Sequence, residues 1–226
     1  MQKNTAKKSE VKIKPKPQPK FIVLEGGEGS GKSSVLIALR EALGDAVVTT
    51  REPGGSPFAE VIRNTALKDP LAEGALPQTM LSLMFASRFE HVAKTILPAM
   101  KSGKSVITDR FDGSSFAYNV IAQSEGALEE VFWHLRKQLN VLPDLYIYID
   151  VSSEEGLRRA NSRNQSLLDG NHFDNRAIAF HNSVRDGYKK FFGNKEIKSV
   201  VVDGHRPIAE VQREVLDIVW KMILFP

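Results

Sequence analysis

The apolar run Phe21–Leu24 gives way to Gly26-Gly27-Glu28-Gly29-Ser30-Gly31-Lys32-Ser33, and no other stretch constrains the fold as strongly. The octapeptide fits G-x-x-x-x-G-K-[ST], and a helical pattern follows it, which is the context its chemistry requires. Glycines let the backbone turn tightly enough to aim successive N–H groups at one anion. Lys32 would bridge the β- and γ-phosphates of a nucleoside triphosphate, and the Ser33 hydroxyl would ligate Mg²⁺. The helix opening near Lys32 adds the positive end of its dipole. ATP-type binding is thus expected at Gly26, Gly27, Glu28, Gly29, Ser30, Gly31, Lys32, Ser33 and Ser34. The loop specifies triphosphate binding and leaves the reaction open. Guanine-specific switches carry Asn-Lys-x-Asp; here Asn194-Lys195-Glu196-Ile197 lacks the acid. A small chain with such a loop is most often a small-molecule kinase.

Short Val/Ile-rich runs recur at Phe21–Leu24, Ala46–Thr49, Ser105–Thr108, Leu145–Val151 and Lys198–Val202. They are largely uninterrupted by polar residues, as strands covered on both faces require. Helical spacing fills 31–43, 57–67, 77–101, 125–139, 153–163, 174–192 and 207–224. The alternation predicts right-handed crossovers: an α/β chain of three α/β/α layers around a five-stranded parallel sheet. Ligands are expected at the carboxyl ends of the strands.

Composition narrows the chemistry. There are no cysteines, which removes thiol nucleophiles, disulfides and Cys-ligated metals, and no two of the five histidines stand at H-x-x-x-H spacing. No apolar run reaches the ~18 residues of a membrane span. The net charge of +4 belongs to the start of the chain, where residues 1–20 hold seven lysines against one acid. Without them 24 basic and 26 acidic side chains remain, so residues 21–226 are mildly acidic. We read residues 1–20, with prolines at 15, 17 and 19, as a flexible spacer, partly polyproline II in character. Weak attraction of this tail to nucleic acid or an acidic partner stays open; otherwise no nucleic-acid partner is expected. The tail has neither the apolar core of a secretory leader nor the arginines of a transit peptide, so the cytoplasm is the expected location.

Three clusters supply arginines for a second anion. Thr50-Arg51-Glu52-Pro53-Gly54-Gly55 precedes Glu60 and Arg63; Asp109-Arg110-Phe111 precedes Ser114, Ser115 and Tyr118; and Phe85, Arg88 and Phe89 share one helix face. Arginine suits bidentate phosphate or base-edge contacts and an aromatic face suits stacking on a base. Phe89 is read as core. Asp109 and Asp150 each close an apolar run, and either could be the acid on the metal side; Asp109 is preferred, with Asp150 capping the next helix or supporting the sheet.

Together these residues resemble the thymidylate kinase family. The resemblance rests on Ile22–Ser34 (IVLEGGEGSGKSS), Thr50–Arg63 (TREPGGSPFAEVIR), Leu83–Arg88 (LMFASR), Asp109–Tyr118 (DRFDGSSFAY) and Pro143–Arg159 (PDLYIYIDVSSEEGLRR). It implies a nucleoside monophosphate kinase architecture over 21–226, with a lid at about 161–173. It also implies transfer of the γ-phosphoryl of Mg·ATP to dTMP, and a homodimer packed through long helices. Phe85 would stack on thymine, Arg88 would hydrogen-bond its edge and Ser115 would touch the base. Tyr118 would crowd the sugar's 2′ position. Glu52, Pro53 and Ser114 would line the acceptor site, and Arg63 and Arg110 would hold the monophosphate. The resemblance makes Lys32, Arg110, Arg163, Glu28 and Asp109 the catalytic set, with Ser33 and Asp109 on the metal, and makes the Glu52–Pro53 bond cis. The chain departs from the bacterial pattern at Ser166–His172, where Gly170 stands in place of an expected lid arginine. A broader deoxynucleoside monophosphate kinase, or an ATP-binding regulator that has lost catalysis, are the competing readings.

Overall fold

The computed structural model describes residues 18–124, 126–164 and 177–224, without the side chains of Arg163, Asn164 and Leu224. The first 17 residues of the expected spacer, most of the expected lid, Gly170 and the Arg163 side chain therefore lie outside the described residues.

Five parallel strands, β1 (Phe21–Glu25), β2 (Val47–Arg51), β3 (Ser105–Asp109), β4 (Leu145–Asp150) and β5 (Ser199–Asp203), lie in the order β2-β3-β1-β4-β5. The expected α/β/α sheet is present, with strand ends moved by one or two residues. Successive side chains of a strand point to opposite faces, so β1 feeds two cores. Phe21 and Val23 enter one with Leu81, Phe85, Phe132 and Phe191; Ile22 and Leu24 enter the other with Val35, Leu39, Val211 and Val215. Each such side chain contributes roughly 1.5–3 kcal/mol on burial. The loop after β1 therefore hangs from the best-packed strand.

The second core lies beneath α1 (Lys32–Leu43) and α9 (Ile208–Leu224). The first is roofed by α3 (Pro77–His91), α6 (Glu129–Arg136) and α8 (Ile178–Phe192), while α2 (Pro57–Lys68) packs on α3. The stretch expected at 77–101 is continuous, α3 passing through a π-helical segment (Val92–Ile96) into α4 (Leu97–Lys101). Leu81, Met84, Val92 and Ile96 are all buried within this one chain. Phe89, read as core, is 36% exposed, because it stands at the outer edge of the α3 face that buries Phe85.

One helical stretch was not expected: α5 (Asp112–Ser115) runs into a π-helical segment (Phe116–Ala122). Its sequence has no helical period of its own. It is held by α8 packed across it and by β1, where Glu25 accepts hydrogen bonds from the Phe111 and Ser114 N–H groups. The last helix of the central region, α7 (Ser153–Asn164), follows β4. No helix among the described residues is long and apolar enough to cross a membrane.

Candidate active site

Parallel register sets the strands' carboxyl ends on one rim: Asp109 pairs with Leu24 on one side and Arg51 on the other. Glu25, Arg51 and Asp109 thus converge where β1 opens into its loop. Gly29 and Gly31 both take positive φ there. The loop tip also lies directly against α7. A Cβ on Gly29 would overlap the Gly156 carbonyl oxygen, and a Cβ on Gly156 would overlap the Glu28 carbonyl oxygen.

Lys32 curls back into this loop. Its ammonium donates to the carbonyl oxygens of Gly26 (3.0 Å) and Gly27 (2.9 Å) and to Ser30 Oγ (3.1 Å). An ammonium has three donors, so all are satisfied and an incoming phosphate must exchange with these partners. Burial, with Arg110 close by, pulls the Lys32 pKa down to about 8. Ser30 Oγ itself donates to Gly27 O, and Ser33 and Ser34 are exposed at the start of α1. Ser33 Oγ donates to Asp109 Oδ2 at 3.3 Å, whereas Asp109 Oδ1 is buried with no hydrogen-bond partner among the described residues. Of the two acids considered, the one beside the loop is Asp109; the Asp150 carboxylate accepts from Arg185 Nε and Nη2, each at 2.8 Å, and from the Tyr148 hydroxyl.

Arg110 is the one non-glycine residue with positive φ among those described (71°). Its Nη1 lies 3.1 Å from the Gly26 carbonyl oxygen, 3.2 Å from Ser114 Oγ and 3.0 Å from Tyr188 Oη. Nη2 is 3.7 Å from Glu28 Oε2, and the guanidinium faces the Tyr118 ring at 5.3 Å. Burial opposes the charge, but Tyr118, Tyr188, Asp109 and Glu28 outweigh it and raise the pKa well above the ordinary arginine value. Arg110 and Lys32 meet on one oxygen, that of Gly26, so their nitrogens stand no more than about 6 Å apart.

Arg63 donates to the Pro53 carbonyl oxygen at 2.8 Å, and its pKa is lowered by burial and by the charges of Arg51 and Arg110. Arg51 and Arg110 thus both bear on Arg63. Glu60 pairs with Arg51 (2.9 Å) and accepts from the Gly55 N–H. Glu52–Pro53 is cis, as the resemblance implied.

Behind them lies a buried polar chain. Glu52 takes Arg88 Nε at 2.8 Å and His91 Nδ1 at 2.9 Å, and His91 Nε2 meets Thr50 Oγ1 at 2.8 Å. Arg88 Nη2 donates to the Phe111 carbonyl oxygen (2.8 Å) and Ser115 Oγ (3.0 Å). Nη1 is buried without a partner among the described residues, which leaves two donors to offer. Phe85, read as a stacking platform, is 1% exposed, enclosed by Phe132 and Phe89, with the Arg88 guanidinium 4.7 Å above its ring.

Sequence reasoning singled out neither Glu25 and Tyr188 as members of this site nor His91. Glu25 carried a faint sign, an acid closing an apolar strand. It is fully buried, and that burial pushes its pKa up.

The thymidylate kinase family model matches residues 24–215. A thymidylate kinase of Chlamydia caviae is 39% identical over 201 residues, covering 87% of this chain and 95% of its own length. One of Leuconostoc citreum is 38% identical over 200 residues, covering 86% and 91%. A crystal structure of thymidylate kinase from Ehrlichia chaffeensis superposes with a TM-score of 0.69 at 29% identity, covering 90% of this chain and 99% of that one.

Proposed function

Because the chain belongs to the thymidylate kinase family, we propose that the site just described passes the γ-phosphoryl of ATP to dTMP, giving dTDP and ADP. The observation that carries the reading at residue level is the shared Gly26 oxygen, which draws a cation of the donor loop and a cation from the β3 end together. Two polyanions repel, so such a site has to neutralise charge, align donor and acceptor, and exclude water. An ionised phosphate is already a nucleophile, so no strong base is needed. Lys32 holds the donor phosphates, Arg110 spans donor and acceptor, and Arg51 and Arg63 complete the acceptor cradle. Glu28 tethers Arg110 beside the loop, and Arg163 would add a further charge. Hard oxygen donors suit Mg²⁺, and the Ser33 hydroxyl with the Asp109 carboxylate, whose Oδ2 meets Ser33 and whose Oδ1 has no partner among the described residues, fits such an ion. When bound, it would supply further neutralisation of the phosphates.

Arg88 reads the base with its two unspent donors, which suit a ring carbonyl and not an exocyclic amine. Ser115 fixes the fork, and Tyr118 takes the sugar side. Stacking on Phe85 requires its neighbours to part, so in this reading the ring backs Arg88 until the base enters. A homodimer is part of the proposal, supported by exposed Phe58 and Val61, three apart on α2. A cytoplasmic location fits an enzyme that draws on ATP.

A coupled assay across dTMP, dUMP, dGMP and UMP tests the function. We expect dTMP to be preferred, and Arg88→Lys, which keeps the charge but loses the fork, to raise the dTMP KM roughly tenfold or more with little change in the ATP KM. ATP binding without turnover on any monophosphate would refute the reading.

The lowered Lys32 pKa predicts proton uptake. Phosphates restore the ammonium, so between about pH 8 and 10 the complex holds a proton that the free loop has lost. With a free value of about 8, ADP binding should take up about 0.9 proton at pH 9 and about a quarter at pH 7.5. Calorimetry in buffers of different ionisation enthalpy measures this directly. No buffer dependence at pH 9 would remove Lys32 from the phosphate site.

A further inference from the structure

We infer that Tyr188 is a positioning residue whose hydroxyl locks the Arg110 guanidinium against the phosphate loop. Tyr188 Oη lies 3.0 Å from Arg110 Nη1, 2.8 Å from Ser114 Oγ, 3.1 Å from Glu25 Oε2 and 3.2 Å from the Gly26 carbonyl oxygen. A phenol has one hydrogen to give and accepts at its oxygen. Arginine can only donate, so the Arg110 contact uses the oxygen as acceptor. The Ser114 hydrogen is committed to Glu25 Oε2 at 2.6 Å, the shortest contact of the group. The Tyr188 hydrogen therefore goes to Gly26 O, Ser114 Oγ or Glu25 Oε2. Whichever accepts it, one hydroxyl joins Arg110 to the end of β1 or to α5, from a helix that belongs to neither.

The oxygen itself is held rigidly. The Tyr188 ring is fully buried and stacks on Tyr148 (5.2 Å) and Phe192 (6.1 Å). Arg110, by contrast, has a left-handed backbone that non-glycine residues rarely adopt, and its guanidinium is held in place by Gly26, Ser114 and Tyr188. Misplacing a charge by an ångström can cost on the order of 100-fold in rate. The inference rests on the phosphoryl-transfer reading, in which Arg110 spans donor and acceptor.

Tyr188→Phe keeps the stacked ring and deletes only the oxygen. We expect kcat to fall about tenfold or more, with ADP affinity and melting temperature close to wild type. If the residue acts through Arg110, adding Tyr188→Phe to Arg110→Ala lowers activity less than twofold further. Turnover within twofold of wild type, equal losses in both backgrounds, or a parallel loss of ADP affinity and melting temperature would each overturn the inference. A second readout does not depend on turnover. The Arg110 guanidinium ¹⁵N–¹H signals should be protected in the wild-type protein and lost to solvent exchange in Tyr188→Phe; unchanged signals would also overturn it. A wild-type protein inactive on dTMP would sink the functional reading instead, and the guanidinium signals would still decide the contact.

Discussion

Lys32→Ala is expected to lower dTMP turnover by at least about 100-fold, the scale of removing one oriented charge from a transition state. The structure explains why no neighbour compensates. The Lys32 ammonium sits within hydrogen-bond reach of Gly26 O, Gly27 O and Ser30 Oγ, so it is aimed before any phosphate arrives. Truncation removes the cation and leaves the Gly26 and Gly27 carbonyl oxygens without their donor. Arg110 is the adjacent cation, and its Nη1 is already committed to Gly26, Ser114 and Tyr188. Single-turnover rates at saturating ATP separate chemistry from binding, and near-wild-type rates there would defeat the role given to Lys32.

Arg110→Ala is expected to cost at least about 100-fold in kcat/KM for dTMP. The loss should divide differently from that of Lys32→Ala. Arg110 touches the donor loop at the Gly26 oxygen and, more loosely, at the Glu28 carboxylate, while Arg63 senses its charge from the other side. The dTMP KM should therefore rise as kcat falls, and ADP affinity should stay within several-fold of wild type. Arg110→Lys should recover only part of the rate, because an ammonium cannot span several acceptors in one plane as the fork does. An unchanged dTMP KM in Arg110→Ala would place the residue outside the acceptor site.

What could be read from the chain was local. Gly26–Ser33 signals itself by spacing, and the five strands by continuous Val and Ile, because each pattern is written within a few residues. The arginines at the strand ends, proposed above for the acceptor, stood out for the same reason. The supporting groups were not. Tyr188 and Glu25 stand 163 residues apart, and nothing near Tyr188 distinguishes it from any aromatic on a buried helix face. His91 meets Glu52 across 39 residues, through the way α3 lies behind the β2 loop. Asp112–Ala122 forms a helix because Glu25 and α8 hold it, which outweighs a local sequence of Gly, Ser and scattered apolar residues. Long-range carboxylates and packing surfaces determine these features, and neither has a period.

The backbone contact between Gly29 and Gly156 has a consequence for how the molecule is made. An emerging chain carries its whole phosphate-binding motif well before the ribosome has added the helix on which that motif rests. Until then the tip has no backing, so a nucleotide present during synthesis meets a finished loop only once the second half has arrived.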